Sequence, residues 1–256
     1  MKPSKKSPAA PFTTSTLQQE AGRKLGFTVA KTMQVAQGLY ESGHITYMRT
    51  DSVNLSDLAL STTRSEIETS FGKEYSKVRK FTTSSKGAQE AHEAIRPTYI
   101  NNKTVSNNYD EQRLYELIWK RTIASQMSDA ILEKTNVTIS IPGVSDIFFI
   151  ARGEVVKFDG FLKVYIESSD EESDDASESV IPPVKKGDIL QKITITATER
   201  FSQHQPRYSE SSLVRTLEDL GIGRPSTYAP TISNIQKWGY VVKDDRQGVE
   251  RTYNQL

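Results

Sequence analysis

The stretch Thr28–Ser52, TVAKTMQVAQGLYESGHITYMRTDS, changes its periodicity halfway along. Up to Glu41 the apolar positions recur at helical spacing. Val29, Thr32, Met33, Ala36, Leu39 and Tyr40 fall on one face, Thr28 offers a cap and Gly43 a stop. Beyond Gly43 lies a short β-branched segment that ends in a Thr-Asp-Ser turn. Read as a strand, its period of two sends Tyr47 and Arg49 to the same face. A phenol then stands beside a permanent cation. A free phenol titrates near ~10, so it attacks only when a neighbour favours the phenolate or takes its proton. Arg49 can do the first, and its fork of donors suits a phosphate oxygen. The pair fits attack on a phosphodiester; by itself it also fits an interfacial tyrosine beside a solvated arginine.

Working outward, Ser15 with Gln18 reads as a capping box opening a helix that Gly26 stops. A helix is predicted from Ser56 to just before Gly72, a polar loop over Lys77–Gly87, and an amphipathic helix over Tyr109–Met127 that uses Leu114, Leu117, Ile118 and Ile123. The period then becomes two. Lys134–Ile141, Ile147–Ala151, Glu154–Phe158, Leu162–Ile166 and Ile189–Thr198 read as antiparallel strands, with Pro142-Gly143, Arg152-Gly153, Asp159-Gly160 and Lys186-Gly187 as turns. Helices return at Ser209–Leu220 and Thr227–Trp238 around a GIGRPS turn. Strands Tyr240–Lys243 and Glu250–Tyr253 then complete a winged-helix pattern. The fold class is α+β and multi-domain: a Lys/Ser/Pro-rich linker at 1–11, a helical domain with the tyrosine at 12–128, an antiparallel β domain at 129–205, and a winged-helix-like segment at 206–256. The two helical units echo each other, Gly26 to Gly43 against Gly221 to Gly239, and the echo puts Lys243 where Tyr47 stands.

The 33 Lys and Arg nearly balance the 32 Asp and Glu, for a net charge of +1. The balance is uneven along the chain. Glu167–Glu178, ESSDEESDDASE, holds seven acids and no base, and reads as a solvated acidic loop. Without it 33 bases face 25 acids, a charge of +8 that suits phosphate binding. The absence of cysteine excludes disulfides and thiolate metal sites and fits a reducing cytoplasm. His44, His92 and His204 are far apart in sequence, so no metal-ligand set is predicted. No apolar run is long enough for a bilayer, and no membrane partner is expected.

Other residues carry candidate roles. Thr46, Thr50 and Asp51 flank Arg49; Asp51 either caps the next turn or orients the arginine. His92 sits among Glu90, Glu93 and Arg96, and an imidazole there is either solvated or a donor to phosphate. Arg224 and Thr227 stand at a helix start, where backbone N–H groups and the dipole favour an anion. Trp238 is either core or a platform for an unpaired base.

GHITYMRTDS resembles the active-site segment of the type IA DNA topoisomerases, in particular the bacterial topoisomerase I group. PFTTSTLQQEAGRKLGF at Pro11–Phe27, AHEAIRPT at Ala91–Thr98 and LEDLGIGRPSTYAPTISNIQKWGYV at Leu217–Val241 agree with it in order. The resemblance implies that Tyr47 is the nucleophile, Arg49 a clamp on the scissile phosphate, and His92 a group facing that phosphate. It also places Gln37 and Glu41 near the site. The activity it implies is ATP-independent relaxation of negatively supercoiled DNA: one strand is cut through a 5′-phosphotyrosine, another is passed, and the first is resealed. Single-stranded and supercoiled DNA are the expected partners, a monomer the expected state, and the nucleoid in the cytoplasm the expected place. The family also binds magnesium through an acidic cluster in an N-terminal domain. No such cluster follows an apolar strand here, so the chain reads as a central part of the enzyme, with Mg2+ ligands elsewhere and no activity alone. Two readings compete. A non-catalytic winged-helix DNA-binding module needs neither the Tyr-x-Arg segment nor His92. A tyrosine recombinase wants its tyrosine last, whereas here it comes first.

Overall fold

The computed structural model describes residues 2–82, 92–143, 146–166, 184–202, 205–245, 248 and 250–256. The acidic run 167–178, His204 and residues 83–87 of the polar loop fall outside them. Four helices build the core: α1 Thr14–Leu25, α2 Val29–Glu41, α3 Asp57–Ser70 and α4 Tyr109–Ser125. Each has a side-chain cap satisfying amides that would otherwise be orphaned. Thr28, Ser56 and Asn108 cap α2, α3 and α4. The α1 box lies two residues earlier than Ser15, on Thr13 with Thr16. Ser15 is instead buried within the helix and turned to another partner.

The α4 positions Leu114, Leu117, Ile118 and Ile123 are buried as their spacing predicts, against Phe12, Leu17, Leu39 and Ile67. Polar tips within this core find carbonyls: Trp119 donates to Ile100 O at 2.7 Å and Tyr115 to Asn102 O at 2.5 Å. Burial pushes the Tyr115 phenol up to about 12.

A three-stranded antiparallel sheet, in the order β1-β2-β3, follows from β1 Lys2–Lys6, β2 Ala130–Ser140 and β3 Phe148–Phe158. Three sequence expectations need correction here. Lys2–Lys6, read as linker, pairs along the edge of β2, with Lys5 opposite Ile131 and Lys6 opposite Ala130. An edge strand rich in lysine tolerates one unpaired side, which is why composition disguised it. Arg152-Gly153, read as a turn, lies inside one continuous strand opposite Asn136 and Thr135. Leu162–Ile166, read as a strand, begins inside a 3-10 turn at Gly160–Lys163 that sinks Phe161 into the helical core.

The start of the polar loop is tied down as well. Lys77 and Arg79 both reach the Asp129 carboxylate at 2.6 Å. Burial opposes them, but together with Ser7 they draw Asp129 down to about 2.

The remaining strands of the predicted β domain do not form among the described residues. Ile189–Thr198 is exposed, with one isolated bridge, Thr198 to Gln255. Helices α5 Glu210–Asp219 and α6 Tyr228–Lys237 are present, but Tyr240–Lys243 and Glu250–Tyr253 make no hairpin. The C-terminal segment is thus a helix pair without a described wing. The glycine echo has a physical content. Gly43 and Gly239 adopt φ of 73° and 74°, donating to Tyr40 O and Gln236 O. The next amides, His44 and Tyr240, return to Leu39 O and Ile235 O, both at 2.9 Å. Local helix-stop chemistry accounts for the likeness. Among the described residues no helix is long and apolar enough to cross a membrane.

Gly160 is the position where a side chain costs most. Its φ is +50°, and a Cβ would lie 2.5 Å from Ser128 O and 2.6 Å from Asp129 O. Gly160→Ala is expected to destabilise the fold by about 2 kcal/mol or more, read by urea denaturation. An unchanged midpoint would mean that the Phe161 turn does not anchor the sheet to the helices.

Candidate active site

The segment carrying Tyr47 is not a strand. It forms one isolated bridge, Ile45 to Pro97, and is otherwise a loop with several bends. Alternation nevertheless survives in its burial, with Met48 and Thr50 inside and Tyr47 and Arg49 outside. Threonines replace the ladder. On one side, Thr46 N–H donates to Arg96 O at 2.9 Å, and its hydroxyl donates to Ala94 O at 2.7 Å while accepting from Arg96 N–H at 2.9 Å. On the other, Thr14 at the start of α1 donates its N–H to Thr50 O at 2.9 Å and its hydroxyl to Met48 O at 2.8 Å. That hydroxyl also accepts from Thr50 N–H at 2.9 Å. The backbone of Tyr47 is held from both sides while its ring stays 43% exposed.

An open cleft of about 370 Å³ lies beside that ring, lined by Thr46, Tyr47, Thr50, His92 and Glu93. Thr50 is 2% exposed, so it shapes this cleft rather than presenting itself to a ligand; its hydroxyl accepts from Ser52 N–H. His92 is exposed. Glu93 and Arg96 form a pair of their own, at 2.6 Å, and Glu93 also accepts from Ser56 N–H at 2.7 Å. Burial pulls the Glu93 carboxyl upward, but Arg96 and Ser56 outweigh it and hold it below the usual range. Arg96 is therefore structural. Arg49 is exposed and makes no ion pair or hydrogen bond to any described residue. Asp51 is half-buried and caps nothing; its charge acts on Tyr228.

Gln37 and Glu41 lie on the exposed side of α2, joined by a 2.8 Å hydrogen bond. The C-terminal helices approach from the α1 side. Ser15 donates to Glu218 Oε1 at 2.5 Å, and burial pushes the Glu218 carboxyl up. Tyr228 is raised by burial first and then by Glu218 and Asp51, against Arg224, which brings the Arg224 turn into the electrostatic range of the tyrosine loop. The Arg224 side chain is exposed, and Thr227 ties back to the Arg224 amide at 2.7 Å rather than capping α6. Trp238 is 61% exposed and packs edge-on to Tyr240, their centroids 6.0 Å apart, so it is not core. It sits at the far end of α6, ten residues or roughly 15 Å along the helix from the Arg224 turn. The structure thus gathers Thr46, Tyr47, Thr50 and His92 at one cleft and leaves Trp238 apart.

Two residues near the site were not singled out by sequence. Thr14 lay within the PFTTS string, and a threonine inside a helix's first turn is a readable signal for a backbone tie. Tyr40 was assigned to the buried face of α2 but is 41% exposed, and its ring meets that of Tyr47 edge-on at 5.2 Å.

A family model described as DNA topoisomerase matches residues 1–252, and the chain belongs to that family. It is 48% identical over 248 residues to the DNA topoisomerase 1 of Synechocystis sp., covering 94% of this chain and 27% of that protein. The DNA topoisomerase 1 of Streptomyces coelicolor is likewise 48% identical, over 254 residues, covering 94% of this chain and 26% of that protein. The chain spans about a quarter of the length of these relatives. Among solved structures, full-length topoisomerase I from Thermotoga maritima aligns with a TM-score of 0.79 and 38% identity, over 95% of this chain and 40% of that one.

Thr14→Val deletes a hydroxyl that both donates to and accepts from the tyrosine loop. It is expected to cost about 1–3 kcal/mol and to speed amide exchange at Thr50 more than in α4. Exchange at Thr50 unchanged in this variant would show that the loop is held by something else.

Proposed function

We propose that this chain is the tyrosine-bearing part of an enzyme that relaxes negatively supercoiled DNA without ATP. The single observation that carries the reading is an exposed phenol on a backbone pinned from both sides, two residues from an arginine that no described residue pairs. The Tyr47 oxygen attacks the phosphorus and the bond from phosphorus to the 3′ oxygen breaks. The proton lost by the phenol is matched by the one the departing 3′ hydroxyl gains. A phosphodiester is exchanged for a 5′-phosphotyrosine, so little bond energy is lost, and the reverse attack reseals the strand after another has passed.

Arg49 clamps the scissile phosphate and neutralises charge that builds there. His92, on the same cleft, donates to a phosphate oxygen. Gln37 and Glu41 border the site, and Arg224, Thr227 and Trp238 contact DNA beyond it, with Asp51 between them and the loop. Single-stranded DNA is the bound form, the enzyme works as a monomer, and the nucleoid is its place. Magnesium belongs to this reading as a cofactor of the longer protein. Among the described residues no group of three or more acidic or histidine side chains could hold a metal ion, so no step here is routed through one. The competing reading, a winged-helix binding module, leaves the pinned phenol without a use.

In the full-length enzyme Tyr47→Phe is expected to abolish the covalent DNA adduct on a denaturing gel while single-strand affinity stays within a few-fold. Adduct formed by the Phe variant would end the proposal. Arg49→Lys is expected to bind normally and cleave more slowly, because an ammonium cannot reproduce a two-pronged phosphate contact. Equal single-turnover cleavage rates would remove the clamp role.

A further inference from the structure

The backbone on either side of Tyr47 is tied at Thr46, Met48 and Thr50, but the Tyr47 hydroxyl makes no hydrogen bond to any described residue. What remains free is the ring, which has three staggered wells about its first side-chain torsion and a broad two-fold preference about its second. One contact on the structure discriminates between those wells. The Tyr40 ring meets the Tyr47 ring at a centroid distance of 5.2 Å and an interplanar angle of 67°, an edge-to-face arrangement.

Tyr40 is itself well placed to act as a fixed wall. It belongs to the last turn of α2, next to Leu39, which is fully buried. Its carbonyl accepts from Gly43 N–H at 2.9 Å, so the helix end and the start of the tyrosine loop are one hydrogen-bonded unit. Neither ring serves as core, since 41% of Tyr40 and 43% of Tyr47 remain exposed.

We infer that Tyr40 is a positioning residue, whose ring selects the Tyr47 rotamer that presents the phenol to the cleft lined by Thr46, Thr50, His92 and Glu93. This rests on Tyr47 being the nucleophile. Tyr40 touches the nucleophile and not the phosphate, so it acts on the rate of attack rather than on DNA affinity. An edge-to-face pair shifts a rotamer population by roughly two- to tenfold, and the rate of attack follows the population of the competent rotamer. The hydroxyl of Tyr40 has no part in this, so phenylalanine serves as well as tyrosine.

The test is single-turnover adduct formation by the full-length enzyme on a single-stranded oligonucleotide, with affinity measured separately. Tyr40→Ala is expected to slow adduct formation roughly two- to tenfold at saturating DNA, with Kd within twofold of the parent. Tyr40→Phe is expected to recover the rate. Should the alanine variant fold poorly, Tyr40→Leu keeps apolar bulk without a ring and is expected to be slow too. A parent-like rate in the alanine or leucine variant overturns the inference. So does equal slowing by Tyr40→Phe, which would point to the hydroxyl, or a loss confined to Kd, which would make Tyr40 a DNA contact. Tyr47→Phe run in parallel separates the two levels. Adduct from that variant removes the nucleophile itself, whereas its silence beside a parent-like Tyr40→Ala removes only the role of Tyr40.

Discussion

A single buried hydroxyl, that of Thr14, joins the start of α1 to the loop that carries Tyr47. Both partners have backbone groups in need of it. A helix N-terminus leaves amides without intrahelical acceptors, and an extended loop without a neighbouring strand leaves both donors and acceptors unmet. Here the Thr14 amide takes Thr50 O, and its hydroxyl takes Met48 O while accepting from Thr50 N–H. Because the site is buried, losing this hydroxyl would strand two groups, Met48 O and Thr50 N–H, rather than weaken one bond. Thr46 repeats the device on the opposite side against residues 94–96. The result is a rigid backbone with an exposed side chain, a combination that a true sheet, with both faces covered, would not provide.

The two arginines near the cleft show how charge is sorted. Arg96 is largely buried and paired with Glu93, whose carboxyl is held low despite its burial, so that pair is structural and its charge is spent internally. Arg49 keeps its guanidinium free among the described residues. A free guanidinium has no ion pair to break before it meets an anion, whereas the Arg96 guanidinium would have to leave Glu93 first.

Much of the helical half could be read from the sequence, because caps and stops are local chemistry. Thr28, Ser56 and Asn108 do what their side chains allow regardless of context. The tyrosine loop was misread as a strand for a specific reason. Alternation reports burial, and burial here does alternate, but the backbone is satisfied by Thr14, far off in sequence, and by the loop's own Thr46 reaching residues 94–96. The sheet failed for the opposite reason. Arg152-Gly153 has turn composition, yet cross-strand pairing with Asn136 and Thr135 overrides it, and nothing local to either segment encodes that register. Tyr40 was absorbed into the apolar stripe of α2 because periodicity assigns a face and not an edge. One residue at the border of the stripe looks the same whether it packs inward or against a neighbouring loop.

The contact between the two helix pairs is of a different kind from either core. Its apolar part is small, Val29 with Val214, Tyr228 and Ile232. Carboxylates make the rest: Glu210 accepts from Val29 N–H at 2.8 Å, and Glu218 accepts from Ser15 and, at 3.5 Å, from Gln19. Gly22 allows the close approach, since a Cβ there would meet Ser211 Oγ at 2.2 Å. Burial, aided by Asp219, raises the Glu218 carboxyl more than Ser15 and Gln19 lower it. A raised carboxyl binds its proton more readily in the packed state, so its favourable contribution is full at low pH and is lost as pH rises through the shifted value. The joint between the helix pairs therefore depends on the charge carried by this carboxyl. The loop around Tyr47 is thus held by threonine hydroxyls, and the seat of α5 on α1 by carboxylates that accept from α1 and α2.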